Sequence, residues 1–509
     1  MKSPRITFDG IRLALGPLLA VLVWWLMPDV AGAPAARTTA GVAAWMGVWW
    51  LTEAVPLAVT SLLPLAFFPL FGVLPASRVA GLYMNDVVFL FVGGFIVALA
   101  MEKWNLHRRI ALHIMLLVGV GPLRTLAGFM IATMVLSMWI SNTAAAMMML
   151  PIAMAVIWRY DTIYESGAMA RYSVAVLLGI AYSASIGGIA TLVGTPPNLV
   201  FARLFPMSFP HGPEITFAQW MGFALPISFI MFAAVFGVLV LRFVRLERGG
   251  VTRDIFRGEL DEMGKTSYEE KMVFLVFLVL AVLWVTRKPI VFGALEVGGW
   301  SNLLPKPEYV GDGTIAILLA STLFTIPSRK KGEWLMDWPT ARKLPWGIVL
   351  LFGGGFALAG AISASGLSIW IGDQLNGLAN LPPILMTAGL CTAMTFTTEL
   401  TSNTATTQMI LPILAAVSRA IARNPFFLMI PATLSASCAF MMPVATPPNA
   451  IVFGTGRLKI IDMATTGIIL NVIGVIVITL WMHLAGPYFF GGGPMIAPDW
   501  VFVVPPVTP

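Results

Sequence analysis

Charge is what this 509-residue chain has least of: Asp, Glu, Lys and Arg make up 11% of it, against 58% hydrophobic residues. A soluble fold cannot hide so much apolar surface, and the mean hydropathy of +0.87 excludes one. Cysteine is almost absent. The two present, Cys391 and Cys438, lie in apolar runs, which leaves neither a disulfide frame nor a thiolate metal site. The four histidines, His107, His113, His211 and His483, are scattered, without the spacing of a metal-binding helix pair. No His-Asp, Cys-His or paired acidic motif sits mid-span, so the chain lacks the acid, base or nucleophile cluster of an enzyme. What remains is an all-α polytopic membrane protein.

Apolar stretches able to cross about 30 Å of hydrocarbon, roughly 20 residues each, lie near 11–29, 41–58, 60–74, 86–102, 171–191, 217–241, 271–287, 312–327, 345–363, 425–442 and 464–489. Lys2, Arg5 and Arg12 precede the first of them, and residues 1–40 read as a signal anchor because many spans follow. Two longer apolar segments, 122–158 and 382–418, carry polar residues at their centres and read as re-entrant hairpins. A chain that turns at membrane depth must face its freed backbone groups to protein, water or ligand. With eleven crossings and a cytoplasmic N-terminus, 23 of the 31 Lys and Arg fall on the inner side, as the positive-inside rule demands. The net charge of +7 is thus a topology signal and gives no support to a nucleic-acid partner. Residues 242–270 form the longest inner loop, a linker expected to be partly an amphipathic surface helix, and 490–509 form an outer tail.

The polar centres are duplicates. Ser141-Asn142-Thr143 heads SNTAAAMMMLPI and Ser402-Asn403-Thr404 heads SNTATTQMILPI, at an offset of 261 that also relates Leu90–Phe95 to Leu351–Phe356. Gly194-Thr195-Pro196-Pro197-Asn198 and Ala445-Thr446-Pro447-Pro448-Asn449 form a third pair, offset by 251. Each repeat, 41–241 and 271–489, therefore reads as a glycine-rich helix, a hairpin and a helix broken at Thr-Pro-Pro-Asn. Five crossings per repeat invert the second copy relative to the first, the architecture of secondary transporters.

The motifs suggest the chemistry. Ser or Thr heading a hairpin's second arm caps a half-helix whose free N–H groups and positive dipole end suit an anion. The ends of the first arms and of the broken helices offer carbonyls which, with Asn142, Asn403 and hydroxyl oxygens, suit a hard cation such as sodium. No Lys or Arg lies in any of the four motifs, so a multiply charged anion needs co-bound cations.

With these motifs in place the chain resembles the divalent anion/sodium symporter family, which includes bacterial dicarboxylate and human citrate carriers, over nearly its whole length. The resemblance implies that Ser141, Asn142, Thr143, Ser402, Asn403 and Thr404, with Thr195, Pro196, Thr446 and Pro447, contact a small di- or tricarboxylate. It implies one sodium site at Ser137, Ser141, Asn142, Gly188 and Gly194, and a second at Thr398, Ser402, Asn403 and Ala445. It also implies a homodimer in the cell membrane, working by an elevator motion. Sodium-coupled symport is the first expectation, with a sodium-independent exchanger as the alternative and a sulfate transporter or channel behind it.

Three features stay open. The second motif continues as Thr406-Thr407-Gln408 where the first has Ala145-Ala146, an asymmetry expected to add substrate contacts. Glu399 reads either as a proton site or as a carboxylate satisfied by Thr397, Thr398 or Thr401. Glu53, in TEAVPL, has the same two readings.

Overall fold

The computed structural model describes residues 8–30, 32–161, 166–244, 253–292 and 295–503. Lys2, Arg5, Arg245 and Arg248 of the charge tally, and the tail beyond Val503, lie outside the described residues. Regular structure is almost entirely helical, as the need to satisfy backbone polar groups inside a membrane requires.

The chain opens with α1 (Phe8–Leu26) and α2 (Ala36–Thr52), an antiparallel pair joined where Trp49 Nε1 donates to the Leu13 carbonyl and Arg37 Nε to that of Trp24. The stretch expected to cross at 60–74 is instead broken into α3 (Leu57–Thr60), α4 (Leu63–Leu70) and α5 (Ala76–Tyr83), a correction explained by Pro56, Pro64 and Pro75 at the helix starts. Next come α6 (Asp86–Lys103), α7 (Leu106–Val118) and the first hairpin, α8 (Pro122–Ser137) and α9 (Asn142–Asp161). The broken helix follows as α10 (Ser166–Ile189) and α11 (Pro196–Ser208), then the long α12 (Phe217–Phe243). Within the linker, α13 (Asp254–Glu262) packs Phe256 onto Phe129 of α8, in line with the expected surface helix.

The second half begins with α14 (Tyr268–Val285), headed by a Ser267–Glu270 capping box, and a two-stranded hairpin, β1 (Ile290–Phe292) and β2 (Leu295–Val297). It continues with α15 (Asp312–Thr322), the short α16 (Trp338–Ala341), α17 (Trp346–Ala364) and α18 (Leu367–Gln374). The second hairpin is α19 (Pro383–Thr398) and α20 (Asn403–Ala420), followed by the broken pair α21 (Phe426–Ala436) and α22 (Pro447–Phe453) and by α23 (Ile460–Phe490). Among the described residues, six helices are long and apolar enough to cross a membrane unaided. The other expected crossings fall on α1 and α2, with 19 and 17 residues, on α14, whose 18 residues include Glu269, Glu270 and Lys271, and on shorter pieces; α15 and α21 have 11 residues each.

Two helices of the glycine motif interleave the halves. Gly93 on α6 lies against Ala316 of α15, where a Cβ would come within 2.5 Å of backbone. Gly354 on α17 lies against Ser61, and Gly353 against the Tyr83 ring, whose hydroxyl donates to the Ser61 carbonyl. Small residues let these backbones approach as they do between membrane helices generally.

Candidate functional site

Four helix ends meet at one place. The first hairpin turns between Ser137 and Asn142, the second between Thr398 and Asn403, and the two breaks lie at 190–195 and 437–446. Together they line a cavity of about 990 Å³. Ser141, Asn142, Thr143, Thr195, Pro196, Ser402, Asn403, Thr404, Thr446 and Pro447, all expected to contact substrate, are on its wall. Gly194 and Ala445 are there too, whereas Ser137, Gly188 and Thr398 stand behind it. The remaining wall comes from α1, α2, α3, α6 and α17: Arg12, Leu51, Thr52, Glu53, Leu57, Phe95, Ile348 and Leu351.

Both tips are capped as their sequence suggests. Ser141 Oγ accepts from Ala144 N at 3.1 Å, and Ser402 Oγ from Ala405 N at 3.5 Å. The caps satisfy one N–H each and leave the rest of each first turn, with its positive dipole end, toward the cavity.

Behind the first tip lies a ring of oxygens. Ser137 Oγ donates to the Ala184 carbonyl at 2.7 Å, and the Asn142 amide sits 2.5 Å from Ser137 Oγ, 3.1 Å from the Ala184 oxygen and 3.3 Å from the Gly194 oxygen. One hydroxyl proton cannot serve so many lone pairs, and an excess of oxygen in so small a space suits a hard cation. Turned over, the amide nitrogen donates to the same three oxygens, so Asn142 can also close the ring by itself. Gly188 is packed against this amide. Behind the second tip the Asn403 Oδ1 is buried with no hydrogen-bond partner, Thr398 is fully buried and Ala445 nearly so. An orphaned buried acceptor is costly unless something is held there.

The asparagines of Thr-Pro-Pro-Asn act as staples. Asn198 Nδ2 reaches the carbonyls of Gly188, Ile189 and Thr191 at 3.2, 3.4 and 2.7 Å. Asn449 Nδ2 reaches those of Ala439 and Met442 at 3.2 and 3.0 Å. Asn198 ties the carbonyl end of α10 to the start of α11, and Asn449 ties the backbone of the second break to the start of α22, so each holds its break at a set geometry.

Some expectations need correction. Thr406 Oγ1 pairs with Thr401 Oγ1 at 2.7 Å and Gln408 is fully buried against Gly355, so neither lines the cavity. Glu399 is satisfied, but by none of the threonines: Thr398 and Thr401 donate to the carbonyls of Thr395 and Thr397. Its donors are the backbone N–H groups of Phe440, Met441 and Met442 and the Asn471 amide. Glu53 is exposed on the cavity wall, in a left-handed backbone conformation at φ 47 that ends α2. Sequence reasoning missed the Ala184 carbonyl, for which no signal exists because every residue carries one. It also missed Arg12, whose basic character had been assigned wholly to topology.

The family described as the sodium:sulfate symporter transmembrane region matches residues 12–490. The sodium-dependent dicarboxylate transporter SdcS of Staphylococcus saprophyticus is 42% identical over 94% of this chain and 92% of its own length. SdcS of Staphylococcus aureus strain MRSA252 is 41% identical, covering 96% of this chain and 94% of its own. Among solved structures, Neisseria gonorrhoeae MtrF, described as illuminating a class of antimetabolite efflux pumps, superposes with a TM-score of 0.55 at 13% identity over 97% of this chain and 98% of its own. The Alcanivorax borkumensis YdaH transporter superposes at 0.53 and 12% over 93% and 97%; both share the fold. By its motifs, its cavity and its full-length match, this chain belongs to the sodium:sulfate symporter family of multi-pass membrane transporters.

Proposed function

We propose that the chain is a secondary transporter that carries a dicarboxylate together with sodium ions into the cell. The observation that carries this reading is the convergence of both Ser-Asn-Thr tips and both Thr-Pro-Pro-Asn breaks on one cavity. Two half-helix N-termini give two anion-binding ends, which matches a substrate with two carboxylates better than a single compact anion. The oxygen ring at Ser137, Asn142, Ala184 and Gly194 would hold one sodium, and Thr398, Ser402, Asn403 and Ala445 a second. Sodium is cargo in this scheme, and its charge offsets the dianion that neutral dipoles alone hold poorly. Sequence relatives named as sodium-dependent dicarboxylate transporters support the same assignment.

The rest of the reading rests on the duplication, on the bias of basic residues and on the family resemblance. The halves are taken as inverted repeats, 41–241 and 271–489, in a cell-membrane homodimer with the N-terminus cytoplasmic and the C-terminus outside. The hairpins and broken helices would move as one body against α1, α2, α6 and α17, carrying the site across in an elevator step. The test is uptake of labelled succinate into proteoliposomes, with and without an inward sodium gradient, and with sulfate and citrate as competitors. Saturable uptake driven by the gradient is expected. Uptake that ignores the gradient and requires internal dicarboxylate would overturn symport in favour of exchange.

A further inference from the structure

The break between α21 and α22 is gripped at one peptide from two sides. Glu399, at the end of α19 and only 3% exposed, receives Phe440 N–H at 2.7 Å, Met441 N–H at 2.9 and 3.0 Å and Met442 N–H at 2.9 Å. Asn471 of α23 adds its amide at 2.7 Å. Both carboxylate oxygens thus face donors only, and no Lys or Arg pairs with Glu399 among the described residues. From the other side Tyr182, fully buried in α10 of the first half, donates its hydroxyl to the Phe440 carbonyl at 2.7 Å and sets its ring edge-on to the Phe440 ring at 5.1 Å.

The first half has no such carboxylate. Met138 occupies the position 261 residues before Glu399, and the tie there is neutral: Thr191 Oγ1 donates to the Met138 carbonyl at 2.6 Å. Among the described residues the two breaks are therefore held differently, the first by a hydroxyl and the second by a carboxyl group.

We infer that Tyr182 and Glu399 are positioning residues for the second cation site, joined through the Phe440 peptide, so that a residue of the first repeat helps set the sodium affinity of the second. This rests on the sodium-site reading above. The Phe440–Met442 segment leads directly into Ala445 and Thr446 at the cavity wall, and the Asn449 staple holds the carbonyl at its end, that of Met442, and the one just before it, that of Ala439. Release of Phe440 on either side lets that segment shift, and neither Tyr182 nor Glu399 lines the cavity to touch substrate.

The experiment measures succinate uptake into proteoliposomes at saturating succinate as external sodium is varied, for wild type, Tyr182→Phe, Glu399→Gln and the double variant. Tyr182→Phe removes one hydroxyl and is expected to raise the sodium concentration for half-maximal uptake about three- to tenfold, with the maximal rate within about twofold. Glu399→Gln, which turns an amide NH₂ toward backbone donors, is expected to raise it at least about tenfold. The double variant should be no worse than Glu399→Gln alone, because both act on one peptide. The sodium-induced rise in melting temperature, measured without succinate, should shrink in the same order. If Glu399→Gln fails to fold, Tyr182→Phe decides. Half-activation unchanged in folded variants of a sodium-driven wild type, or a fall in maximal rate alone, overturns the inference and leaves the transport reading intact. A wild type indifferent to sodium overturns both.

Discussion

The Asn142 amide and the Cα of Gly188 are so close that a Cβ at 188 would lie 2.7 Å from Asn142 Oδ1. Gly188 is thus required by the asparagine that faces it, across a contact between the first hairpin and the first broken helix. A methyl group there must push the amide out of the Ser137, Ala184 and Gly194 oxygen ring.

Gly188→Ala is accordingly expected to raise the sodium concentration for half-maximal uptake by about tenfold or more, a change of about 1.4 kcal/mol per decade. Sodium titration of succinate uptake checks it, and unchanged half-activation would remove Gly188 and Asn142 from the proposed first site.

Ser137→Ala tests the same ring from its hydroxyl. The variant removes the hydroxyl's bond to the Ala184 carbonyl and deletes one oxygen, so sodium affinity should fall while the apparent affinity for succinate at saturating sodium changes less than about threefold. A larger effect on succinate than on sodium would place Ser137 in the anion site instead.

Gln408 and Gly355 make a second close pair, this time between the second hairpin and α17. Gly355→Ala drives a Cβ into the Gln408 side chain, and the overpacking should destabilise the protein by about 1–3 kcal/mol. Gln408→Ala in the same molecule should restore most of the lost melting temperature in detergent. Failure of the rescue would show that the contact is not what limits the site.

Outside the membrane, Lys103 binds Asp337 at 2.5 Å, and that hydrogen bond, opposed by some burial and aided by Thr340 N, holds the Asp337 carboxyl below its usual range. A depressed carboxylate stabilises the fold above the unfolded-state pKa of about 3.9 and loses that stabilisation as pH falls through the lower folded value. Because Asp337 is partly exposed, the effect should be about 0.5 kcal/mol. Asp337→Asn should therefore lower the melting temperature slightly at pH 7 and converge with wild type in acid.

Much of this molecule was legible because its constraints are one-dimensional. Scarcity of charge selects a membrane, and the paired Ser-Asn-Thr and Thr-Pro-Pro-Asn stretches mark where helices stop, since Pro removes donors and Ser or Asn supplies caps. The helices do end at those motifs, and all ten residues expected at the anion site share one cavity. The broken helices at 57–83 were less readable, because apolar content persists through the prolines that divide them.

Other assignments depended on contacts that no linear pattern encodes. Glu399 is three residues from a motif rich in threonine, yet its partners are 41 to 43 residues away in backbone N–H groups and 72 away in Asn471. Arg12 and Glu53 reach the cavity wall only because α1 and α2 pack as an antiparallel pair beside it. The Ala184 carbonyl is anonymous in sequence. Composition and motif spacing determined the membrane setting and marked the paired motifs that line the cavity, because burial, helix breaking and capping are local properties of residue type. Tertiary structure decided which carbonyls gather behind the first hairpin tip and what holds each break in place. Those depend on distances between segments far apart in the chain, where backbone atoms that every residue shares do the binding.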